Sequence, residues 1–153
     1  MNALQQSKLV SITPPAAIVD NASYTTAAVD TLGFNKARIT VYLGATDIAM
    51  TALKLQESDA SDMSNATDIT GAVFGTSTNP DTGTTSALPS ATDDSKFFTF
   101  FVDLKGRKRY IDLVATAGDG SAGTFAVAFA DLYDANNVPS NASERGAAAN
   151  LIV

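Results

Sequence analysis

The sequence predicts an all-β protein, a single β-sandwich or jelly-roll-like domain with flexible N- and C-terminal arms. Three observations lead there. Several short runs alternate apolar and polar residues with a period of two. Clusters of Gly, Pro, Asn, Asp and Ser separate those runs. Helix signals are scarce; the best window, Ser143–Ile152, is Ala-rich but short. About seven or eight short strands spaced by turns fit two packed sheets.

Residues 8–12 (KLVSI) read as a short strand, which Pro14 and Pro15 stop. Residues 24–29 (YTTAAV) read as a weak one. Residues 36–43 (KARITVYL) alternate cleanly, with Ala37, Ile39, Val41 and Leu43 on one face. Residues 51–57 repeat the pattern with Leu53 and Leu55 inward. A polar stretch then leads to a short apolar run, Ala72–Phe74. Residues 75–95 are rich in Gly, Ser, Thr and Pro, a loop long enough to be either mobile or an interaction element. Residues 96–104 (KFFTFFVDL) place Phe98, Phe100, Val102 and Leu104 on one face and Phe97 and Phe101 on the other. Residues 108–116 form the next strand. In 124–133, Phe125, Val127 and Phe129 are expected inward, with Ala126, Ala128 and Ala130 outward, leaving room for another layer or subunit. The boundaries expected are an arm at 1–15, the sandwich at 16–138 and a tail at 139–153.

Composition narrows the function. The chain has 153 residues, enough for one domain with a sizeable core. Hydrophobic content of 45% against 17% charged residues places it among folding chains. A net charge of −6 argues against nucleic acid and anionic membrane surfaces as partners. The absence of Cys and His removes disulfides, thiolate chemistry and the commonest general base and metal ligand. No Walker A or GxGxxG motif occurs. Glu57, Asp59, Asp62 and Asp68 offer oxygen ligands, but their spacing fits no EF-hand and reads as a solvated acidic loop. The expectation is a non-enzymatic protein with no catalytic, cofactor or metal site. No apolar run reaches the length of a membrane span, and no secretory signal is expected. The sequons at Asn21, Asn65 and Asn141 are therefore read as loop residues, not glycan sites.

The candidate sites lie in KFFTFFVDLKGRKRYIDLVATAG, residues 96–118. Four of the chain's ten basic residues fall in KGRKR: Lys105, Arg107, Lys108 and Arg109. The expectation is a hairpin turn between strands 96–104 and 108–116, with Gly106 supplying the turn. Two readings stay open, a solvated tip and a contact with an acidic patch. Arg107 and Lys108, nearest the turn, are the candidate interaction residues. Phe97 and Phe101 join them, because exposed rings on a small sandwich ask for a covering subunit.

VDTLGFNKARITVYLGA, LKLQESD and DLKGRKRYIDLVATAG resemble a family of small phage and prophage structural proteins. The segments carrying the likeness are Asp30–Phe34, Leu43–Ala45, Leu55–Asp59 and Gly106–Ile111, within roughly residues 28–130. The resemblance implies a capsid decoration or cement protein that binds and stabilises the major capsid protein shell. It would be made in the host cytoplasm and sit on the outer surface of the virion capsid. An adhesive or receptor-binding module of a head fibre or tail is the alternative. Phe97, Phe101 and the Ala-rich face of 124–132, too much apolar surface for one small sandwich to cover, add a homo-oligomer, with a trimer placed ahead of a dimer. The loop at 75–95 is longer than the resemblance leads one to expect.

Overall fold

The computed structural model describes residues 6–151 and contains eight strands and, among the described residues, no helix. They are β1 (Lys8–Thr13), β2 (Val29–Asp30), β3 (Phe34–Thr46), β4 (Ala52–Ser58), β5 (Thr67–Val73), β6 (Phe97–Asp103), β7 (Tyr110–Thr116) and β8 (Thr124–Ala135). Two four-stranded antiparallel sheets run in the orders β1-β8-β3-β6 and β2-β7-β4-β5. The pairs nest: β1 with β8, β2 with β7, β3 with β6, β4 with β5. Only the β4–β5 connection stays within one sheet; every other one crosses the sandwich.

The alternating runs make the core. Ala37, Ile39, Val41 and Leu43 of β3 are buried, as are Leu53 and Leu55 of β4 and Ile111, Leu113 and Ala115 of β7. Phe100 and Val102 of β6 face the same interior. Each fully buried aliphatic side chain of this size contributes roughly 1.5–3 kcal/mol of transfer free energy. A neighbouring β-strand could not slip by one residue without turning this whole set outward.

Side chains and turns close the ends. The Tyr24 hydroxyl donates to the Thr124 carbonyl, and burial pushes its pKa up to about 12. The Asp47 carboxylate accepts from the amides of Ser121 (2.6 Å), Ala122 (2.6 Å) and Gly123 (3.1 Å), tying the β3–β4 connection to the β7–β8 loop. Asn21 and Asn65, two of the sequon residues, hold positive φ angles of 46° and 56° in turns.

Several expectations are corrected. Ala126, Ala128 and Ala130 point into the core with Leu132, while Phe125, Val127 and Phe129 lie half-buried on the outer face. β8 is an inner strand of its sheet, and its small side chains leave interior space for the bulkier ones opposite. The charge at Asp131 shares the parity of the Phe residues and takes them outward. KGRKR is not a hairpin turn. β6 and β7 belong to different sheets, and the segment is a corner that crosses between them. Gly106 does hold a left-handed φ of 76° there.

Other elements differ in extent. β5 begins at Thr67, inside the stretch read as polar, because an edge strand sends only Ile69 fully into the core. β2 is two residues long. Within 75–95, Thr78 bridges Thr85, the Asn79 amide donates to the Thr84 carbonyl at 2.7 Å, and the Met50 amide donates to the Pro89 carbonyl at 2.9 Å. The short strand read at residues 8–12 is present as Lys8–Thr13 and, though inside the span given to the N-terminal arm, is paired in the sheet; the Leu9 amide donates to the Arg145 carbonyl of the tail at 2.9 Å. Residues 1–5, 152 and 153 lie outside the described residues.

Two outcomes follow from this packing. Asp30, Asp47, Asp62, Asp68 and Asp93 all ionise below the ordinary carboxylate range in the folded chain; Lys96 first, then Ser90, holds Asp93 at about 2. A carboxyl whose folded pKa is depressed stabilises the fold while ionised and loses that contribution as pH falls through the folded value. Melting temperature should therefore hold steady from neutral pH down to about pH 5, then fall below about pH 4, near the unfolded aspartate pKa. A melting temperature constant down to about pH 2 would contradict this. Ala130→Leu should cost about 1–3 kcal/mol in urea unfolding by overpacking the interior; an unchanged midpoint would put Ala130 on the outside.

Candidate interaction surface

β6 shows the surface most plainly. Its alternation sends Phe98 and Phe100 inward and leaves Phe97 and Phe101 62% and 72% exposed. Phe97 stacks on Tyr42 of β3 with ring centroids 4.5 Å apart. The ladder fixes the neighbours: Phe97 lies beside Tyr42 and then Val127, while Phe101 lies beside Arg38 and then Asp131. The outer face of this sheet is thus apolar at one end, with Phe125 seated against Gly44, where a Cβ would approach its ring to 3.0 Å. At the other end Arg38 pairs with Asp131 at 3.1 Å. The second oxygen of Asp131, Oδ1, is buried without a hydrogen-bond partner.

Below the free edge of β6 runs a groove of about 450 Å³, walled by β6 on one side and by β5 and the following loop on the other. Phe74 meets Phe98 at 5.5 Å and Phe100 at 5.0 Å, both edge to face. The groove holds aromatic faces and hydroxyls, with Asp81 as its single carboxylate. Among the described residues, no group of three or more His, Cys, Asp or Glu could hold a metal ion.

Both arginines of the basic corner are engaged within the chain. Arg109 makes a two-pronged contact with Asp30, Nε to Oδ1 at 2.9 Å and Nη2 to Oδ2 at 2.7 Å, and its guanidinium lies 5.1 Å from the Tyr110 ring centre. That contact lowers the Asp30 pKa and raises that of Arg109. Arg107 Nη1 donates to Glu57 Oε1 at 3.3 Å, and the Lys108 amide donates to Glu57 Oε2 at 3.2 Å. Among the described residues, the ammonium groups of Lys105 and Lys108 have no ion-pair partner. Arg107 and Lys108 therefore sit at a corner between sheets, Phe97 and Phe101 on a sheet face, and the four do not form one cluster.

Residues far apart in the chain meet at this corner: Asp30, Glu57 and Arg107–Arg109. Asp30 of β2 and Glu57 of β4 lie in the sheet that β7 joins, so these contacts tie the corner after β6 to that second sheet. Sequence reasoning put Tyr42 on the face away from the core, where it lies, but missed Phe125, Val127 and Phe129 as surface residues. The available signal was Asp131, the one charge in the body of 124–133 and on the same parity as those rings.

Comparison with family models, with curated proteins and with solved structures returned no match.

Adjacent phenylalanines offer a direct check. Phe100→Ala should cost about 3–5 kcal/mol in unfolding free energy. Phe101→Ser should change it by no more than about 0.5 kcal/mol in dilute solution. Equal losses would mean that β6 does not alternate as described.

Proposed function

We propose that this chain is a non-enzymatic virion structural protein, a decoration or cement protein that binds the major capsid protein on the outer surface of a bacteriophage capsid. The observation that carries the proposal is the aromatic outer face around Phe97, Phe101 and Tyr42 on an acidic chain. A patch of that kind marks an interaction site. The sequence likeness over 28–130 points to phage structural proteins. The nested pairing of strands supports the same reading, since we take it as the winding of a jelly roll, an architecture common in viral coats. That last support is an analogy of fold.

A second reading keeps its place because of the groove beside β6. An adhesive or receptor-binding module of a head fibre or tail would use aromatic walls with hydroxyls beside them, as this groove has. Jelly rolls also serve as lectins.

Counting copies per virion by quantitative mass spectrometry separates the two. Hundreds of copies are expected for a cement protein. A handful would replace it with the fibre or tail reading, and none in purified virions would overturn both.

A further inference from the structure

The four edges of the sandwich are treated differently. β1 is covered by the tail: its Leu9 amide bonds to Arg145, and Gly146 lies so close to the Leu9 carbonyl that no side chain fits there. β2 is two residues long. β5 carries Asp68 and bends at Gly71, φ 86°. β6 has none of these protections. It runs for seven residues, its one charge is Asp103 at the end, and its ladder with β3 is unbroken. A bare apolar edge is a template for another strand.

The register says which backbone groups are bare. The Leu43 amide donates to the Lys96 carbonyl and the Leu104 amide to the Asn35 carbonyl, so even-numbered residues of β6 turn their polar groups toward β3. Odd-numbered Phe97, Thr99 and Phe101 turn theirs to the free edge.

We propose that β6 pairs antiparallel with β6 of a second copy of this chain, across a two-fold axis at Thr99. The segment Phe97–Phe101 reads F-F-T-F-F, the same in both directions. A two-fold interface needs one patch that complements itself, and a palindromic strand supplies it. With Thr99 facing Thr99 of the second copy, Phe97 opposes Phe101 and Phe98 opposes Phe100. Parity permits this register, because an odd residue at the centre brings the bare groups of both copies together. The pairs 97·101, 99·99 and 101·97 then each exchange two main-chain hydrogen bonds. Aromatic rings meet across the junction, where such pairs add stability beyond the ladder itself. A three-fold ring joins two different surfaces and makes no use of the palindrome. The pairing is a property of the chain alone and does not rest on the virion reading.

The chain has no cysteine, so a single introduced thiol reports the register. Opposed residues in a hydrogen-bonded pair have Cα atoms about 5.5 Å apart, within disulfide reach. Thr99→Cys should form a covalent dimer under mild oxidation. Phe97→Cys alone should not, because its two copies would be displaced by four residues, about 14 Å. A mixture of Phe97→Cys and Phe101→Cys should cross-link one to the other. Thr99→Pro removes the central edge donor but leaves the β3 ladder intact. It should turn a dimer into a monomer in sedimentation analysis. If that variant fails to fold, the cross-linking pattern decides by itself. A wild-type chain that stays monomeric at high concentration overturns the proposal, as does a trimer mass or equal cross-linking at positions 97 and 99. A monomer whose β6 instead cross-links to capsid protein would also overturn it.

Discussion

The fold depends on β3. It is the longest strand, it pairs with β8 on one side and β6 on the other, and its inward residues Ala37, Ile39, Val41 and Leu43 are almost without solvent contact. Because side chains alternate with a period of two, a slip of one residue would exchange that face for Lys36, Arg38, Thr40 and Tyr42. No compact arrangement accepts two uncompensated cations in its interior. The register of β3 is therefore fixed by its own sequence, and the registers of β6 and β8 follow from it. So does the content of the outer face: once Ile39 faces the core, Arg38 must stand beside Phe101 and Asp131, and Tyr42 beside Phe97 and Val127.

What was legible in the sequence is what period two encodes. β3, β4, β6 and β7 each carry a clean alternation, and each lies where the pattern puts it. β8 was harder, because both of its faces are apolar. Size is a poor guide when one parity is Ala and the other Phe: a core needs small side chains wherever the opposite sheet supplies large ones. The charge at Asp131 was the better guide. β5 was obscured for a different reason. An edge strand with one side chain in the core carries almost no pattern. The connection at KGRKR was misread because two strands flanking a tight glycine turn resemble a hairpin locally. Whether they share a sheet is decided by long-range pairing, β6 with β3 and β7 with β4, which the local sequence does not show.

The corner also explains why the basic cluster is a weak guide to partners. In an acidic chain, cations are drawn first to the chain's own carboxylates. Arg109 is fixed by both oxygens of Asp30, and Glu57 receives Arg107 and the Lys108 amide together. A planar guanidinium gripping a carboxylate by two hydrogen bonds is directional. Here it orients the crossing from β6 to β7.

Recognition is then left to surfaces that the chain does not consume internally. A small sandwich has two edges per sheet, and each must be hidden, shortened, bent or used. The tail hides β1, brevity removes β2, and a charge with a glycine bend interrupts β5. β6 remains open and joins directly onto the aromatic outer face. An open edge offers hydrogen bonds with defined spacing and direction, whereas an apolar face offers area without much geometry. On β6 the same residues, Phe97, Thr99 and Phe101, carry both. A partner strand laid there would gain orientation from the backbone and affinity from the rings, the combination by which strand addition attains specificity. That coincidence sets β6 apart from the basic corner, whose two arginines are already engaged by Asp30 and Glu57 before any partner arrives.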